Sequence, residues 1–248
     1  SRTGMRVSMG FKMKTFPDFD VYPVITERFC KNGSSIETLK ILVREKIKIV
    51  QLREKDYTKR KIYQMAQEFR RITSAHGVTL IINDHVDIAL GVGADGVHLG
   101  QEDLPCEVAK KIATNSPFPL NKGGCLKGAR GLLVGVSTHN LKEALKAQSD
   151  GADYINIGPI FETGTKESSG NPLGVEIITA ISKEIKIPFT VMGGIKEENI
   201  QQVIRSGAKR VAMVTEITLS DDMPEKIRKL RNLINKHNEA NSADMYRG

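Results

Sequence analysis

Tryptophan is absent from the 248-residue sequence, and aromatic residues make up only 5% of it. Surfaces that bind single-stranded nucleic acid stack bases on aromatic side chains set among basic ones. No basic run of this sequence is interleaved with aromatic residues. Nucleic acid is therefore not an expected partner.

Cysteine is also scarce, with three widely spaced residues and no Cys-x-x-Cys or cysteine–histidine spacing of the kind that binds zinc. Their odd number and wide separation favour reduced thiols and a cytoplasmic location. No run of about eighteen apolar residues is present, so neither a transmembrane helix nor a membrane partner is expected.

Acidic residues are fewer than basic ones, 29 against 37, which gives a net charge of +8. An excess of positive charge favours anionic partners. With nucleic acid set aside, phosphorylated small molecules are the anions that the composition favours.

Short apolar runs alternate with segments of helical periodicity along most of the chain. Ser35 and Thr58 can each cap a helix whose apolar positions repeat every three to four residues. Eight such runs in about 250 residues predict a single-domain α/β protein, a closed (β/α)8 TIM barrel. An open doubly wound sheet is the alternative, which the missing glycine fingerprint after the first strand disfavours. The predicted strands are Val21–Ile25, Ile47–Leu52, Thr79–Ile82, Gly96–Leu99, Leu132–Val136, Tyr154–Ile157, Phe189–Met192 and Arg210–Val214, and the later predicted helices are Val86–Val92, Pro105–Thr114, Leu141–Ser149, Val175–Glu184, Glu197–Ser206 and Pro224–Asn238.

Segments outside this alternation set the expected domain boundaries. Residues 1–19 are expected to form a flexible basic leader, residues 20–238 the catalytic barrel and residues 239–248 a disordered tail. The segment 115–131 is rich in Pro, Gly and Lys. It is expected to be an exposed insertion on the face of the barrel away from the site.

In a TIM barrel, binding and catalytic residues lie at the carboxyl ends of the strands. Arg53 and Lys55 follow the second predicted strand and Lys166 follows the sixth, with Gln51 and Asn83 as neutral donors. Charge-assisted hydrogen bonds make such a cluster suited to a polyanion. The alternative for the first two cations is ion pairing with neighbouring acidic residues at the surface, which stabilises a protein little.

Two carboxylates stand at neighbouring strand ends, Asp84 after the third strand and Asp103 after the fourth. Proteins commonly hold Mg²⁺ through one or two carboxylates together with substrate phosphates, so the pair is a candidate Mg²⁺ site. Helix N-capping is the alternative role, because each aspartate precedes a predicted helix.

Glycines and hydroxyl residues follow the later strands. Gly193 and Gly194 follow the seventh strand and Thr215 the eighth, which is the usual place of a phosphate site in barrels. Thr163 and Thr165, after the sixth strand, can add hydroxyl donors. The mouth is therefore predicted to hold two anions, a phosphate here and a more highly charged group at the cations.

Six segments together resemble the thiamine phosphate synthase family, over roughly residues 22–217 apart from the insertion. Members of this family are transferases that couple 4-amino-2-methyl-5-hydroxymethylpyrimidine diphosphate to 4-methyl-5-(2-phosphoethyl)thiazole, giving thiamine phosphate and pyrophosphate. The segments are VQLREKD, IINDHVDIALGVGADGVHLGQEDLP, GVSTHNLKEA, GADYINIGPIFETGTKE, PFTVMGGI and VAMVTEI.

The resemblance implies a role for each residue at the mouth. It implies that Asp84 and Asp103 hold Mg²⁺ and that Ser137 lies near the pyrimidine. The expected partners are the two phosphorylated substrates, and assembly into a homo-oligomer stays open. The implied diphosphate residues are Gln51, Arg53, Lys55, Asn83 and Lys166, of which Arg53, Lys55 and Lys166 are the implied catalytic cations, and the implied thiazole phosphate residues are Thr163, Thr165, Gly194, Val214 and Thr215.

The loop FETGTKE departs from the family pattern at Glu162, where proline is usual, and at Glu167, where a second lysine is common; Thr215 stands where serine is usual. The loop is also similar to that of the sister thiazole tautomerases, which carry a catalytic histidine where this sequence has Gly158 and Pro159. A tautomerase-like isomerase and a non-catalytic barrel that binds thiamine precursors are the alternatives. The complete cation cluster and the aspartate pair favour the synthase.

Overall fold

The computed structural model describes residues 15–115, 131–164 and 171–245. The strands in these residues are β1 Val21–Ile25, β2 Ile49–Leu52, β3 Thr79–Asn83, β4 Gly96–Leu99, β5 Leu133–Thr138, β6 Tyr154–Ile157, β7 Phe189–Val191 and β8 Val211–Met213. Each strand pairs in parallel with the next along the chain, and β8 pairs with β1, so the sheet is closed. The predicted (β/α)8 TIM barrel is confirmed.

Helices cover the outside of the barrel and connect its strands. They are α1 Ser35–Arg44, α2 Lys59–His76, α3 Val86–Val92, α4 Cys106–Asn115, α5 Leu141–Ser149, α6 Glu176–Ser182, α7 Ile200–Arg205, α8 Thr215–Thr218 and α9 Met223–Met245, with a short 3-10 helix at Glu27–Phe29. Among the described residues, no helix has the length and apolar character needed to cross a membrane.

Several element ends differ from the prediction by a few residues. The side chain that caps α1 is Ser34, one residue before the predicted Ser35, whereas Thr58 caps α2 as predicted. The last helix continues to Met245, beyond the predicted end at Asn238. Its extension contains alanine and glutamate but neither proline nor glycine, and this composition favours a helix.

The expected leader, insertion and tail are described only in part. Residues 1–14, 116–130 and 246–248 lie outside the described residues. The boundaries at the insertion therefore stay a prediction.

Two apolar layers hold the barrel together, because successive side chains of a strand point to opposite sides of the sheet. In β1, Val21 and Ile25 belong to the large cluster between the strands and the helices. Tyr22 and Val24, which alternate with them, belong to a smaller cluster inside the barrel. Burial on both sides explains why the strands read as continuous apolar runs in the sequence.

Two phenylalanines before β1 close the amino-terminal end of the barrel. Phe19 is 8% exposed and packs edge to face on Tyr22, with ring centroids 5.6 Å apart. Phe16 stacks on Tyr154, with centroids 4.1 Å apart. Both phenylalanines fall within the segment expected to be a flexible leader, so the packed structure begins before residue 20.

Candidate active site

The loop after β2 is fixed to the loop after β1 by three hydrogen bonds. The Arg53 N–H donates to the last carbonyl of β1 at 2.9 Å, and the Thr26 hydroxyl donates to the Arg53 carbonyl at 2.7 Å. The Glu54 carboxylate is buried and accepts the Glu27 N–H at 2.7 Å. Glu54 thus holds the loop in place, and its neighbours Arg53 and Lys55 are held at the mouth of the barrel.

Lys55 forms an ion pair with Asp84 at the end of the neighbouring strand β3. Asp56, the acidic residue next to Lys55 in the sequence, pairs instead with Arg28 at 2.8 Å. The alternative in which Lys55 pairs with its acidic sequence neighbours is therefore wrong. Burial lowers the pKa of the Arg53 guanidinium, while the charge of Asp84 raises it, so Arg53 lies in the same electrostatic environment.

Asp84 and Asp103 lie close together where β3 and β4 end. Asp84 has a left-handed backbone with φ of 61°, and its N–H donates to the His98 carbonyl at 2.8 Å. Burial raises the pKa of Asp84, and the adjacent Asp103 carboxyl raises it further. Left-handed backbone is strained for a residue with a side chain, and such strain clusters at functional sites.

The capping alternative for Asp84 is wrong, because the N-cap position of α3 is occupied by His85 and no side chain caps it. Asp103 accepts the Gly100 N–H at 2.7 Å and so fixes the turn that follows β4. Each carboxylate uses its Oδ2 atom in these contacts, Asp84 towards Lys55 and Asp103 towards Gly100.

The two aspartates could hold a divalent cation together with an anionic ligand. The described residues contain no cluster of three or more His, Cys, Asp or Glu side chains that could hold a metal alone. Mg²⁺ takes one or two carboxylates and completes its coordination with water and phosphate oxygens. A cation held by the two aspartates would also offset the repulsion of two adjacent negative charges. The donor set therefore fits Mg²⁺ in the presence of a phosphorylated ligand.

Asn83, at the end of β3, has an unsatisfied donor. The residue is 8% exposed, and its Nδ2 has no hydrogen-bond partner within the described part of the chain. A buried donor without a partner typically costs about 1–3 kcal/mol. An acceptor supplied by a bound ligand would remove this penalty.

A chain of hydrogen bonds runs through the inside of the barrel beneath the mouth. Gln51 Nε2 donates to the Tyr22 hydroxyl at 2.9 Å, and this hydroxyl lies 3.2 Å from that of Tyr154. The Tyr154 hydroxyl lies 3.0 Å from His98 Nδ1, and His98 Nε2 lies 2.9 Å from the Ser137 hydroxyl. The predicted residues Gln51 and Ser137 are thus joined across the barrel, and burial raises the pKa of both tyrosines, which stay protonated.

The two tyrosines were missed as site residues, because inside a strand pattern they look like ordinary core positions. For Tyr154, one sequence signal was available. Gly135 lies in the middle of β5, and a Cβ added there would fall 2.1 Å from Cζ of Tyr154. A glycine inside a strand marks a close approach of this kind.

The loops after β6 and β7 form another part of the mouth. The Ile160 N–H donates to the Met192 carbonyl at 2.9 Å, and the Phe161 N–H donates to the Gly193 carbonyl at 3.0 Å. Gly194 has φ of 62°, and a Cβ there would fall 2.2 Å from the carbonyl oxygen of Glu162. The glycine pair is therefore required by the packing of the two loops, in addition to any role towards an anion.

The remaining predicted residues are partly described. Thr163 and Gly194 are half-buried at the rim formed by these two loops, and Val214 and Thr215 are half-buried where β8 ends. Thr215 is the first residue of α8. Thr165 and Lys166 lie outside the described residues.

Two comparisons show where the chain belongs. The family model described as thiamine monophosphate synthase matches residues 21–117 and 126–217. A thiamine-phosphate synthase of Caldicellulosiruptor saccharolyticus is 40% identical over 230 residues, which cover 93% of this chain and 97% of the relative. The chain belongs to the thiamine monophosphate synthase family. The family and the synthase activity predicted from the sequence motifs are confirmed, and with them the transferase class.

Other members of the family support the same conclusion. A thiamine-phosphate synthase of Dictyoglomus thermophilum is 38% identical and covers 90% of this chain and 94% of the relative. The solved structure of a thiamine phosphate pyrophosphorylase from Pyrococcus furiosus superposes with a TM-score of 0.75 at 28% identity, covering 88% of this chain and 96% of that chain. The gap between the two matched segments of the family model, residues 118–125, lies inside the segment 115–131 that is predicted to be an insertion.

Proposed function

We propose that this synthase binds its two substrates at separate parts of the barrel mouth. In this proposal the pyrimidine diphosphate lies at the ends of β2, β3 and β4, and the thiazole phosphate at the ends of β6, β7 and β8. The observation that carries the proposal is the close set of Lys55, Asp84 and Asp103 with Arg53 beside it.

The diphosphate has partners of three kinds in this arrangement. Arg53 and Lys55 supply positive charge, and the free Nδ2 of Asn83 supplies a buried donor. Asp84 and Asp103 would hold Mg²⁺, which when bound stabilises negative charge on phosphate oxygens. Lys166, from the loop after β6, is the third proposed cation.

The pyrimidine and the thiazole phosphate have separate proposed contacts. The Ser137 hydroxyl is oriented by its contact with His98, and this arrangement suits a nitrogen atom of an aminopyrimidine. Gln51, which the same network holds through Tyr22, belongs with the proposed diphosphate contacts. The proposed thiazole phosphate contacts are Thr163, Thr165, Gly194, Val214 and Thr215.

The reaction follows from this placement. The bond between the pyrimidine methylene carbon and the diphosphate oxygen breaks, and its electron pair leaves with pyrophosphate. Arg53, Lys55 and Lys166 stabilise the charge that grows on the leaving group. The thiazole, held by its phosphate, is oriented so that its nitrogen attacks the methylene carbon. No nucleophile from the protein is required.

Magnesium and a cytoplasmic location are part of this proposal. The aspartate pair supports the metal. The thiols of Cys30 and Cys106 are free and buried, which supports a reducing compartment.

The first prediction tests the aspartate pair. Asp84→Asn is expected to lower the rate of pyrophosphate release by about 100-fold or more when both substrates and Mg²⁺ are present, because a metal ligand is lost. The measurement is coupled detection of pyrophosphate over a range of Mg²⁺ concentrations. Asp87→Asn is the matched control, since Asp87 is 61% exposed and pairs with Lys59 on the outer surface.

Two results would count against the proposal. Equal rates for Asp84→Asn and Asp87→Asn would remove the metal assignment while leaving the activity intact. Folded wild-type protein that releases no pyrophosphate from the two substrates would contradict the condensation itself and would favour an isomerase or a binding protein.

A further inference from the structure

One lysine of α9 bonds two carboxylates that belong to different parts of the mouth. Lys226 Nζ lies 2.7 Å from Glu197 Oε2 and 2.8 Å from Glu216 Oε1. The same Glu216 oxygen accepts the backbone N–H of Glu197 at 3.2 Å. We call these three residues the α9 clamp.

The two glutamates stand next to proposed phosphate contacts. Glu216 directly follows Thr215 in α8, and Glu197 lies three residues after Gly194 in the loop between β7 and α7. Asn199 stiffens this loop, because its side chain donates to the Gly194 carbonyl at 2.9 Å and accepts the Lys196 N–H at 2.8 Å. A shift of Glu197 is therefore transmitted to Gly194.

We propose that Lys226 is a positioning residue that sets the distance between the β7 loop and α8 and thereby the affinity for the thiazole phosphate. The inference rests on the proposed assignment of that phosphate to Gly194 and Thr215. Lys226 itself is not proposed to touch the substrate.

The electrostatics of the clamp support this role. The side chains of Lys226 and Glu216 are 22% and 16% exposed, so water screens their attraction less than that of a surface pair. The hydrogen bond from Lys226 lowers the pKa of Glu197, and its two glutamate partners raise the pKa of Lys226. Without the ammonium group, two carboxylates would repel each other between the β7 loop and α8.

The test compares the Michaelis constants of the two substrates in one enzyme. Lys226→Met is expected to raise KM for the thiazole phosphate about tenfold, within the loss of up to about 100-fold that a displacement of 1 Å can cause. KM for the pyrimidine diphosphate and kcat at saturation of both substrates are expected to stay within about twofold, because the diphosphate cluster lies on other strands. Lys226→Arg keeps the charge and is expected to restore most of the affinity.

Arg231→Met is the matched control on the same helix. Arg231 bonds Asp20 at 3.2 Å and the carbonyl oxygens of Glu45 and Lys46, all at the opposite end of the barrel. Its loss is expected to lower the unfolding temperature without changing the ratio of the two Michaelis constants. A clamp with a purely structural role would make Lys226→Met behave in the same way, and that result would overturn the proposal.

Two further variants separate the possible failures. If Lys226→Met does not fold, Glu197→Gln tests the proposal instead, because Glu197 is 39% exposed and its substitution disturbs the fold less. A selective rise in KM for the thiazole phosphate supports the clamp. An unchanged KM overturns it. Thr215→Val tests the phosphate assignment. An effect of Thr215→Val without one of Lys226→Met removes the clamp alone, whereas no effect of Thr215→Val removes the phosphate assignment and the clamp with it.

Discussion

The charged residues of the VQLREKD segment, residues 50–56, alternate in sign and have different roles. Arg53 and Lys55 lie at the mouth of the barrel. Glu54 is only 4% exposed, and its carboxylate accepts a hydrogen bond from the Glu27 N–H in the loop after β1. The sequence predicted that both cations and Asp84 lie at the same mouth, and Lys55 forms an ion pair with Asp84. It could not reveal that the glutamate between them is buried, because its partner Glu27 belongs to another strand end.

Glu54 makes the stability of the protein depend on pH. Burial raises its pKa from 4.5 to about 6, so the folded state holds the proton more tightly than the unfolded chain. Stability is therefore lost as pH rises through the interval between these values. Relative to Glu54→Gln, the wild type is expected to lose about 1 kcal/mol of unfolding free energy between about pH 5 and about pH 7.5.

Urea denaturation of both proteins at the two pH values measures this difference. The informative quantity is how much the unfolding free energy of each protein changes between the two pH values. The glutamine amide itself changes the stability by an amount that does not depend on pH. Glu198→Gln serves as control, since Glu198 is 77% exposed. Parallel pH dependence of the wild type and Glu54→Gln would contradict the expectation.

At the level of helices and strands, the periodicity of the sequence predicted the order and type of the elements that make the barrel. The strand starts and ends were less accurate, because apolar residues flank several strands; β2, for example, begins at Ile49 and not at Ile47. Capping side chains were predicted at Thr58 but misplaced at Ser35, since two adjacent serines offer the same chemistry.

The chemistry of the strand ends could be predicted because a barrel gathers them at one face. The interior network could not, because its links join residues far apart in the chain, such as Tyr22 and Tyr154. The Asp84 carboxylate was ambiguous in the sequence, since capping and metal binding use the same residue type. The backbone and the ion pair to Lys55 decide against capping.

Strand β5 depends on the absence of a side chain at Gly135. Gly135→Ala places a methyl group 2.1 Å from Cζ and 2.4 Å from the hydroxyl of Tyr154, so the ring must move away from His98 and Tyr22. The variant is expected to lose about 1–3 kcal/mol of unfolding free energy, or more. Urea denaturation measures the loss, and Gly164→Ala, which meets no atom within 4 Å, is the control. Equal stability of the two variants would show that Tyr154 can move freely.

At the scale of the whole molecule, each half of the barrel has its own proposed substrate site. In the proposed function, the ends of β2–β4 bind the leaving group and the ends of β6–β8 bind the thiazole phosphate. Inside the barrel, the two halves are joined by the packing of Tyr22 and Tyr154 with Phe16 and Phe19. The segment that contains Phe16 and Phe19 is therefore part of the folded unit.

Paired truncations locate the start of this unit. Removal of residues 1–14 is expected to change the unfolding free energy by less than about 0.5 kcal/mol. Removal of residues 1–19 takes away Phe16 and Phe19 and the partner of Arg210, Asp18, which lies 3.1 Å from it. This second truncation is expected to lose about 3–5 kcal/mol. Thermal and urea unfolding of both proteins measures the difference, and equal losses would place the start of the fold elsewhere.

Closure by β8 has a consequence for synthesis. Val21 of β1 pairs with Val211 of β8. One edge of β1 therefore has no strand to pair with until β8 has been synthesised. During that interval the nascent polypeptide presents an open ladder of backbone groups, which other chains can join. The backbone groups of β1 that pair with β8 are therefore the last in the sheet to be satisfied during synthesis.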